Sequence, residues 1–141
     1  MTAGHSSENI YTQIYQRLMD VIPDLLTIEG SGRSEVAGLM PLNLDVIRRT
    51  PDKLVIALCH YYRHESGDMI ADPDMEIAVH IEQGMAEALT YQDSYMYHSV
   101  YSPDRSHVDI LAKRALNGFL YDWLGNLIAQ GHAIKTETSD K

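Results

Sequence analysis

The sequence is poor in cysteine, in long apolar runs and, over one long stretch, in positive charge. Cys59 is the only cysteine among 141 residues, so no disulfide can form within the chain. No run of about 18 apolar residues is present, which argues against a membrane-spanning helix. Residues 1–7 lack the basic and apolar parts of a signal peptide. We therefore expect a protein of a reducing compartment, the cytoplasm.

The missing positive charge is confined to one segment. Between His64 and Asp104 there is no lysine or arginine, whereas that stretch holds nine acidic residues. Outside it, 11 acidic residues balance 11 basic ones, so the net charge of −9 arises here. Such a surface opposes direct binding to a nucleic-acid backbone, which requires basic residues. It either attracts a basic partner or simply aids solubility.

The same segment has the alternation of an antiparallel sheet. Apolar and polar residues alternate in residues 40–47, 54–64 and 75–82, and turn residues separate these runs. Gln83-Gly84 is typical of a hairpin connection. Residues 85–92 and 95–101 predict two more strands. Pro41 favours an edge position for the first strand, and residues 29–35 predict a polar linker or turn.

Helical spacing marks both ends of the chain. A first helix is predicted from a cap at Ser6 or Ser7 to about Asp20. A longer one is predicted to begin at Ser106, with Asp109 as its capping-box partner, and to stop at Gly131. Its apolar stripe comprises Val108, Leu111, Ala115, Phe119, Trp123 and Leu127.

These elements predict a single α+β domain over residues 1–141. We expect an N-terminal helix, an antiparallel β-sheet of four to six strands, and a long C-terminal helix packed on one face through Phe119 and Trp123. Residues 1–7 and 133–141 are predicted to be flexible.

The order of these parts resembles a bacterial family of uncharacterised YqiB-like proteins. The matching pieces are Met75-Glu-Ile-Ala-Val, Ala86-Glu-Ala and Asn117-Gly-Phe-Leu-Tyr-Asp-Trp-Leu-Gly-Asn-Leu-Ile-Ala-Gln-Gly-His132. The stretch from His60-Tyr-Tyr to Asp72-Pro73-Asp74-Met75 also looks like a second uncharacterised domain family of bacteria and mobile elements. The resemblance implies an α+β fold and a bacterial source, and it implies no activity.

Motifs for catalysis are scarce. Cys59 lies among apolar residues, which predicts a buried and inert thiol, and neither a phosphate-binding loop nor a nucleophile elbow is present. Four residues, His60, His64, Asp68 and His80, form a candidate metal site for a metal-assisted hydrolase, with Asp72 as a further member. His60 and His64 are about 13 Å apart on a strand, too far to share one ion. His64 together with Asp68, Asp72 or His80 from the neighbouring strand stays open, so the metal-assisted hydrolase is the alternative hypothesis. We expect no cofactor, and we expect a binding protein rather than an enzyme.

Clustered tyrosines and acids give the leading hypothesis. Tyrosine is enriched at protein interfaces, because its ring fills pockets while its hydroxyl forms hydrogen bonds. We expect an interaction or regulatory module that binds a basic protein, such as a nucleic-acid-binding protein whose DNA it mimics. An exposed sheet edge also permits a symmetric homodimer. The interface candidates are Tyr62, Asp72, Asp74, Glu87, Tyr91, Asp93, Tyr95 and Tyr97.

Overall fold

The computed structural model describes residues 9–63 and 65–136 of the chain, and within them it contains two helices and seven strands. The chain order is α1 (Ile10–Val21), β1 (Ser31–Ser34), β2 (Leu42–Thr50), β3 (Lys53–Arg63), β4 (Met69–His80), β5 (Met85–Gln92), β6 (Tyr97–Ser99), α2 (Ile110–Gln130) and β7 (Lys135–Thr136). The predicted α+β class, with a helix at each end of an antiparallel sheet, is confirmed. None of the described helices is long and apolar enough to cross a membrane.

The sheet is an antiparallel meander in the order β6-β5-β4-β3-β2-β1-β7. Strands β1 to β6 follow one another in sequence and in space, and the chain then returns through α2 to add β7 beside β1. The hairpin turn predicted at Gln83-Gly84 joins β4 to β5, and Gly84 has a φ of 66° there. The short strand β7 lies beyond the four to six strands expected from the sequence.

Both helices lie on one face of the sheet, and the core lies between. Alternate residues of β3 and β4, among them Leu58 and Ile77, point into this core and are fully buried. From α2 the core receives Leu120, Trp123 and Leu124. Arg17 of α1 donates to Tyr121 of α2 through both its terminal nitrogens, at 2.9 and 3.0 Å. In the part of the chain that the structure describes, no helix covers the opposite face of the sheet, which we call the helix-free face.

Residues 31–34 of the predicted linker and residues 135–136 of the predicted flexible tail pair with each other, and residues 137–141 lie outside the described part of the chain. Gly32 of β1 lies opposite Thr136 of β7. An added Cβ at Gly32 would meet the Ile134 side chain at 2.6 Å, so only glycine allows this close approach. Ser34 hydrogen-bonds the buried His132 ring at 2.9 Å. The prediction missed these strands because they are short and polar, and because their partners are distant in sequence.

The C-terminal helix differs from its prediction at its start and in its buried face. Asp109 is itself the N-cap, accepting a hydrogen bond from the Ala112 amide at 3.0 Å, so the proposed Ser106 cap is wrong. Leu111, predicted to be in the stripe, is 78% exposed, and Phe119 is only partly covered. The first turn of the helix is largely exposed, and its buried residues begin at Leu116. Trp123 is buried as expected, and Gly131 ends the helix with a φ of 90°.

Three further predictions about the strands differ from the structure. Pro41 precedes β2, which is an interior strand between β1 and β3 rather than an edge. Strand β4 runs continuously through Pro73, which lies at a register shift against β3 where a missing N–H is tolerated. The predicted strand at residues 95–101 is shorter in the structure, Tyr97–Ser99.

The cap of the N-terminal helix also differs from the expected one. Ser6 and Ser7 lie outside the described residues, and Asn9 caps α1 by accepting a hydrogen bond from the Thr12 amide at 3.0 Å.

Candidate functional site

The structure divides the predicted interface residues among three places. Asp72, Tyr91, Asp93, Tyr95 and Tyr97 come together at the turn between β5 and β6; we call these five residues the hairpin surface. Asp74 lies on the helix-free face of the sheet, and Glu87 lies near the opposite end of β5. The side chain of Tyr62 is outside the described residues.

The hairpin surface is built around Asp93. One carboxylate oxygen of Asp93 accepts hydrogen bonds from the backbone amides of Tyr95 and Met96, at 2.8 and 3.0 Å, and the other accepts from the Tyr91 hydroxyl at 2.7 Å. These three bonds shape the turn. Tyr95 projects from it with 94% of its surface exposed, and Tyr97 is also largely exposed. The hydrogen bond from Tyr91, followed by those from the turn amides, lowers the pKa of Asp93, so it stays ionised at neutral pH.

The helix-free face carries its own acidic group. Burial raises the pKa of Asp74, and the nearby carboxylates of Glu76 and Asp45 raise it further. Cys59 lies in the same neighbourhood. Burial is the main reason that the pKa of this thiol is raised to about 11, which agrees with the predicted inert thiol. The carboxylates of Asp74, Glu76 and Asp45 therefore repel one another on this face of the sheet.

Glu87 lies at the centre of a network that the sequence did not predict. Its side chain is 13% exposed. His80 contacts one carboxylate oxygen at 2.7 Å, and the Tyr101 hydroxyl and the Lys113 ammonium donate to the other at 2.5 and 3.2 Å. Lys113 also donates to the Tyr101 hydroxyl at 2.7 Å. We call His80, Glu87, Tyr101 and Lys113 the Glu87 network; it joins β4, β5, the segment after β6, and α2.

The protonation states in the Glu87 network follow from these contacts. Burial acts to raise the pKa of Glu87, but the hydrogen bonds from Tyr101 and His80 and the charge of Lys113 outweigh it, so the pKa lies below its usual value. Burial likewise opposes the charge of Lys113, yet the Tyr101 hydrogen bond and the Glu87 carboxylate raise the pKa of Lys113. Glu87 and Lys113 therefore form an ionised pair at neutral pH.

The free edge of β5 is closed beside this network. Strand β6 pairs with Thr90, Tyr91 and Gln92, so among the described residues no strand lies beside the first half of β5 on that side. The buried side chain of Asn117 fills this role, since its carbonyl oxygen accepts from the Ala88 amide at 2.8 Å and its nitrogen donates to Lys113 O at 2.7 Å. The network is thus held at a sheet edge by α2.

An open cleft of about 310 Å³ borders the Glu87 network, in the range of small-ligand sites. Its lining residues are Tyr11, His80, Gln83, Met85, Ala86, Glu87 and Lys113. Lys113 lies 5.2 Å from the centre of the Tyr11 ring. The cleft therefore combines an ion pair, an imidazole and an aromatic ring.

The three predicted metal ligands that the structure describes do not come together. His60 lies on the helix-covered face, where its Nδ1 is 2.9 Å from the Pro41 carbonyl and its ring packs edge-on against Trp123. His80 pairs with Lys53 at the far end of β3, about 23 Å along the strand from His60. Asp68 is in the β3–β4 turn, and His64 lies outside the described residues. Within residues 9–63 and 65–136, no three His, Cys, Asp or Glu side chains are grouped to hold a metal ion.

Two residues of the Glu87 network had a signal in the sequence. Because Gln83-Gly84 predicts the hairpin, His80 and Glu87 are near-neighbours on one face of it: Ala78 pairs with Glu87, and His80 pairs with Met85. Tyr101 and Lys113 had no comparable signal. Their meeting with Glu87 depends on where α2 begins relative to the sheet edge.

A comparison with protein families assigns the chain to a group. The model of a domain of unknown function, DUF6908, matches residues 10–133. The chain belongs to this family. The matched range begins with α1 and ends just after α2, so it covers both helices and strands β1 to β6 of this chain. The expectation of an uncharacterised family is confirmed, whereas its YqiB-like and bacterial character stays a prediction. No curated protein and no solved structure matches the chain.

Proposed function

We propose that this protein is an interaction module that binds a basic protein partner through the hairpin surface. The observation that carries the proposal is the position of Tyr95, which is 94% exposed on a turn anchored by an ionised aspartate. Because the Tyr95 ring is almost fully exposed, it adds no buried contact that would stabilise the fold. It is well suited to fill a pocket on another protein.

The hairpin surface is ordered before a partner arrives. The three hydrogen bonds to Asp93 hold the turn, and Ser94 reaches Asp72 on β4 at 3.4 Å. Ordering a loop during association costs affinity, so a turn that is already shaped binds with a smaller loss of entropy. Tyrosine adds a further advantage, because few side-chain torsions must be fixed for its large contact area.

The charge of the surface sets the kind of partner. Asp93 and Asp72 add negative charge beside the exposed rings, within the segment that contains no lysine or arginine. Lysine- or arginine-rich segments complement this charge and would associate faster at low salt. A nucleic-acid-binding protein whose DNA the surface mimics is one such partner. The cytoplasm as location, a bacterial source and a homodimer through the exposed edge of β6 belong to the same proposal.

The alternative, a metal-assisted hydrolase, lacks a supporting observation. Its candidate ligands are His60, His64, Asp68 and His80; the three described members are on different parts of the sheet, and His64 lies outside the described residues. The hairpin surface is therefore the better basis for a function.

The test is the affinity of the full chain for a fluorescent ten-residue peptide of alternating arginine and leucine. Changing Asp72 and Asp93 to asparagine should weaken binding about tenfold at low salt, with less effect in high salt. Changing Tyr95 and Tyr97 to serine should weaken it at both salt concentrations, because this loss is of packing.

The matched control changes Asp20 and Asp122 to asparagine. These two residues are exposed on the helices, so the net charge changes by the same amount at a distance from the hairpin. The proposal requires the control to bind like the wild type. Equal losses in the control and in the Asp72/Asp93 variant would refute it, because binding would then follow net charge alone.

A further inference from the structure

The cleft beside the Glu87 network continues into a second groove. This neighbour has a volume of about 270 Å³ and shares Tyr11 and Lys113 with the first. It adds Ile10 and Ile110, the first residues of the two helices, together with Arg114 and Asn117. The two grooves therefore meet at Lys113.

Two groups on the cleft wall have unused hydrogen-bonding capacity. The Lys113 ammonium has three N–H groups, of which one is directed to Glu87 and one to Tyr101. His80 uses Nε2 for Glu87, and its Nδ1 has no partner among the described residues. In the protonated imidazole this nitrogen also donates. Glu87 therefore orients Lys113 and His80, and each has a nitrogen-bound hydrogen left to donate to a ligand when His80 is protonated.

The local charge favours an anion in spite of Glu87. That carboxylate accepts from three side chains, and the adjacent Lys113 balances its charge. Arg114 is exposed and forms no salt bridge within residues 9–63 and 65–136. The grooves thus hold two permanent cations against one carboxylate, although the whole chain carries a net charge of −9.

Apart from Gln83 and Asn117, the other residues that line the two grooves are apolar or aromatic. Met85 and Ala86 line the first groove, Ile10 and Ile110 line the second, and Tyr11 lines both. We propose that the grooves bind a small amphipathic anion, whose carboxylate or phosphate group contacts Lys113 with His80 and Arg114 on either side. The apolar part of the ligand lies against Tyr11 and Met85.

The first experiment compares four ligands of similar size by amide NMR of the full chain: phenyl phosphate, benzoate, benzamide and benzylammonium. A fragment of about ten heavy atoms is expected to bind with a Kd near 1 mM. The two anions should shift the amides around Tyr11, Met85 and Lys113 in a saturable way, and the relative strength of phenyl phosphate and benzoate identifies the head group. Benzamide and benzylammonium should bind at least about tenfold more weakly. Binding of benzylammonium as tight as that of the anions, or no saturable shift at these residues, would overturn the proposal.

The second experiment uses charge-removing variants. Lys113→Gln should weaken the binding of the preferred anion about tenfold. Lys135→Gln, an equal charge change at exposed β7, should bind like the wild type. If the Lys113→Gln chain fails to fold, the decision passes to Arg114→Gln, which leaves the Glu87 network intact and should weaken binding about threefold. A folded Lys113→Gln chain with unchanged affinity, or wild-type affinity in Arg114→Gln when Lys113→Gln does not fold, contradicts the assignment.

Discussion

The two ends of strand β5 use the same chemical pair for different purposes. Near the start of the strand, the Tyr101 hydroxyl donates to Glu87 at 2.5 Å, and just past its end the Tyr91 hydroxyl donates to Asp93 at 2.7 Å. Glu87 accepts its other bonds from side chains of distant elements. Asp93 accepts them from the next amides of its own turn. The first pair joins elements together, and the second shapes one loop.

Solvent makes the energetic difference between these pairs. The Glu87 side chain is almost enclosed, so its hydrogen bonds and ion pair are poorly replaced by water if a partner is lost. Asp93 is at the surface, where water can take over its bonds. The Glu87 end is thus suited to stability and to holding a fixed cleft, and the hairpin end is suited to recognition.

The largest expected effect comes from loosening α2, the helix that supplies Lys113. Trp123→Ala should lower the free energy of unfolding by about 3–5 kcal/mol, because a buried aromatic side chain is lost. Leu111→Ala on the same helix should change it by less than about 0.5 kcal/mol, since Leu111 is mostly exposed. Urea denaturation measures both. Equal losses in the two variants would show that the buried face of α2 is misassigned.

The next effect compares the two carboxylates directly. Glu87→Gln should cost about 2 kcal/mol, because Lys113 loses its charged partner at a mostly enclosed site. Asp93→Asn keeps an oxygen that can accept from the turn amides, so we expect a clearly smaller loss. Denaturation of the two variants under one set of conditions checks this order. A greater loss for Asp93→Asn would reverse the comparison.

The pH dependence of stability should distinguish the Glu87 end as well. The pKa of Glu87 in the folded protein lies below its ordinary value of 4.5. The stabilisation by its charge is therefore complete above about pH 4.5 and is lost as the pH falls through the folded pKa. Thermal unfolding of wild type and Glu87→Gln across this range should show their difference shrinking in acid. A constant difference would mean that packing, and not charge, accounts for the cost of the substitution.

The smallest effect concerns the acidic helix-free face. Because burial, Glu76 and Asp45 all raise the pKa of Asp74, its ionised form is disfavoured in the folded protein at neutral pH. Asp74→Asn should therefore stabilise the protein, by a few tenths of a kcal/mol at this half-exposed site. Glu82→Gln in the exposed β4–β5 turn is the control and should have no effect. A lower melting temperature for Asp74→Asn would show that its charge has a favourable partner.

Local patterns predicted the interior strands because their alternation is regular and their neighbours in sequence are their neighbours in space. Strands β1 and β7 gave no such signal, since Ser31–Ser34 is polar and its outer partner comes more than 90 residues later. The buried face of α2 was predicted incorrectly for a similar reason. The spacing predicts a helix, but it does not show which of its residues pack on the core, and Leu111 is exposed whereas burial begins at Leu116.

The sequence predicted which residue types form the candidate site, but it did not predict that these residues lie in three separate places. Tyrosines and acids in one segment indicated a surface, and Asp72, Tyr91, Asp93, Tyr95 and Tyr97 do lie together. Register shifts in the β3–β4 and β4–β5 pairs interrupt strict alternation, so spacing alone could not assign Asp74 and Glu87 to other places. Tyr101 and Lys113 follow β6 in the sequence, and their contact with Glu87 could be identified only from the three-dimensional fold.

The central claim, that a basic protein partner binds at the hairpin end of β5 and not at the Glu87 end, is tested most directly by amide NMR of the full chain titrated with the arginine–leucine peptide. We predict saturable shifts at residues 93–99 and unchanged amides at Glu87, Ala88 and Lys113. Shifts centred on the Glu87 end, with the hairpin amides unmoved, would contradict the claim.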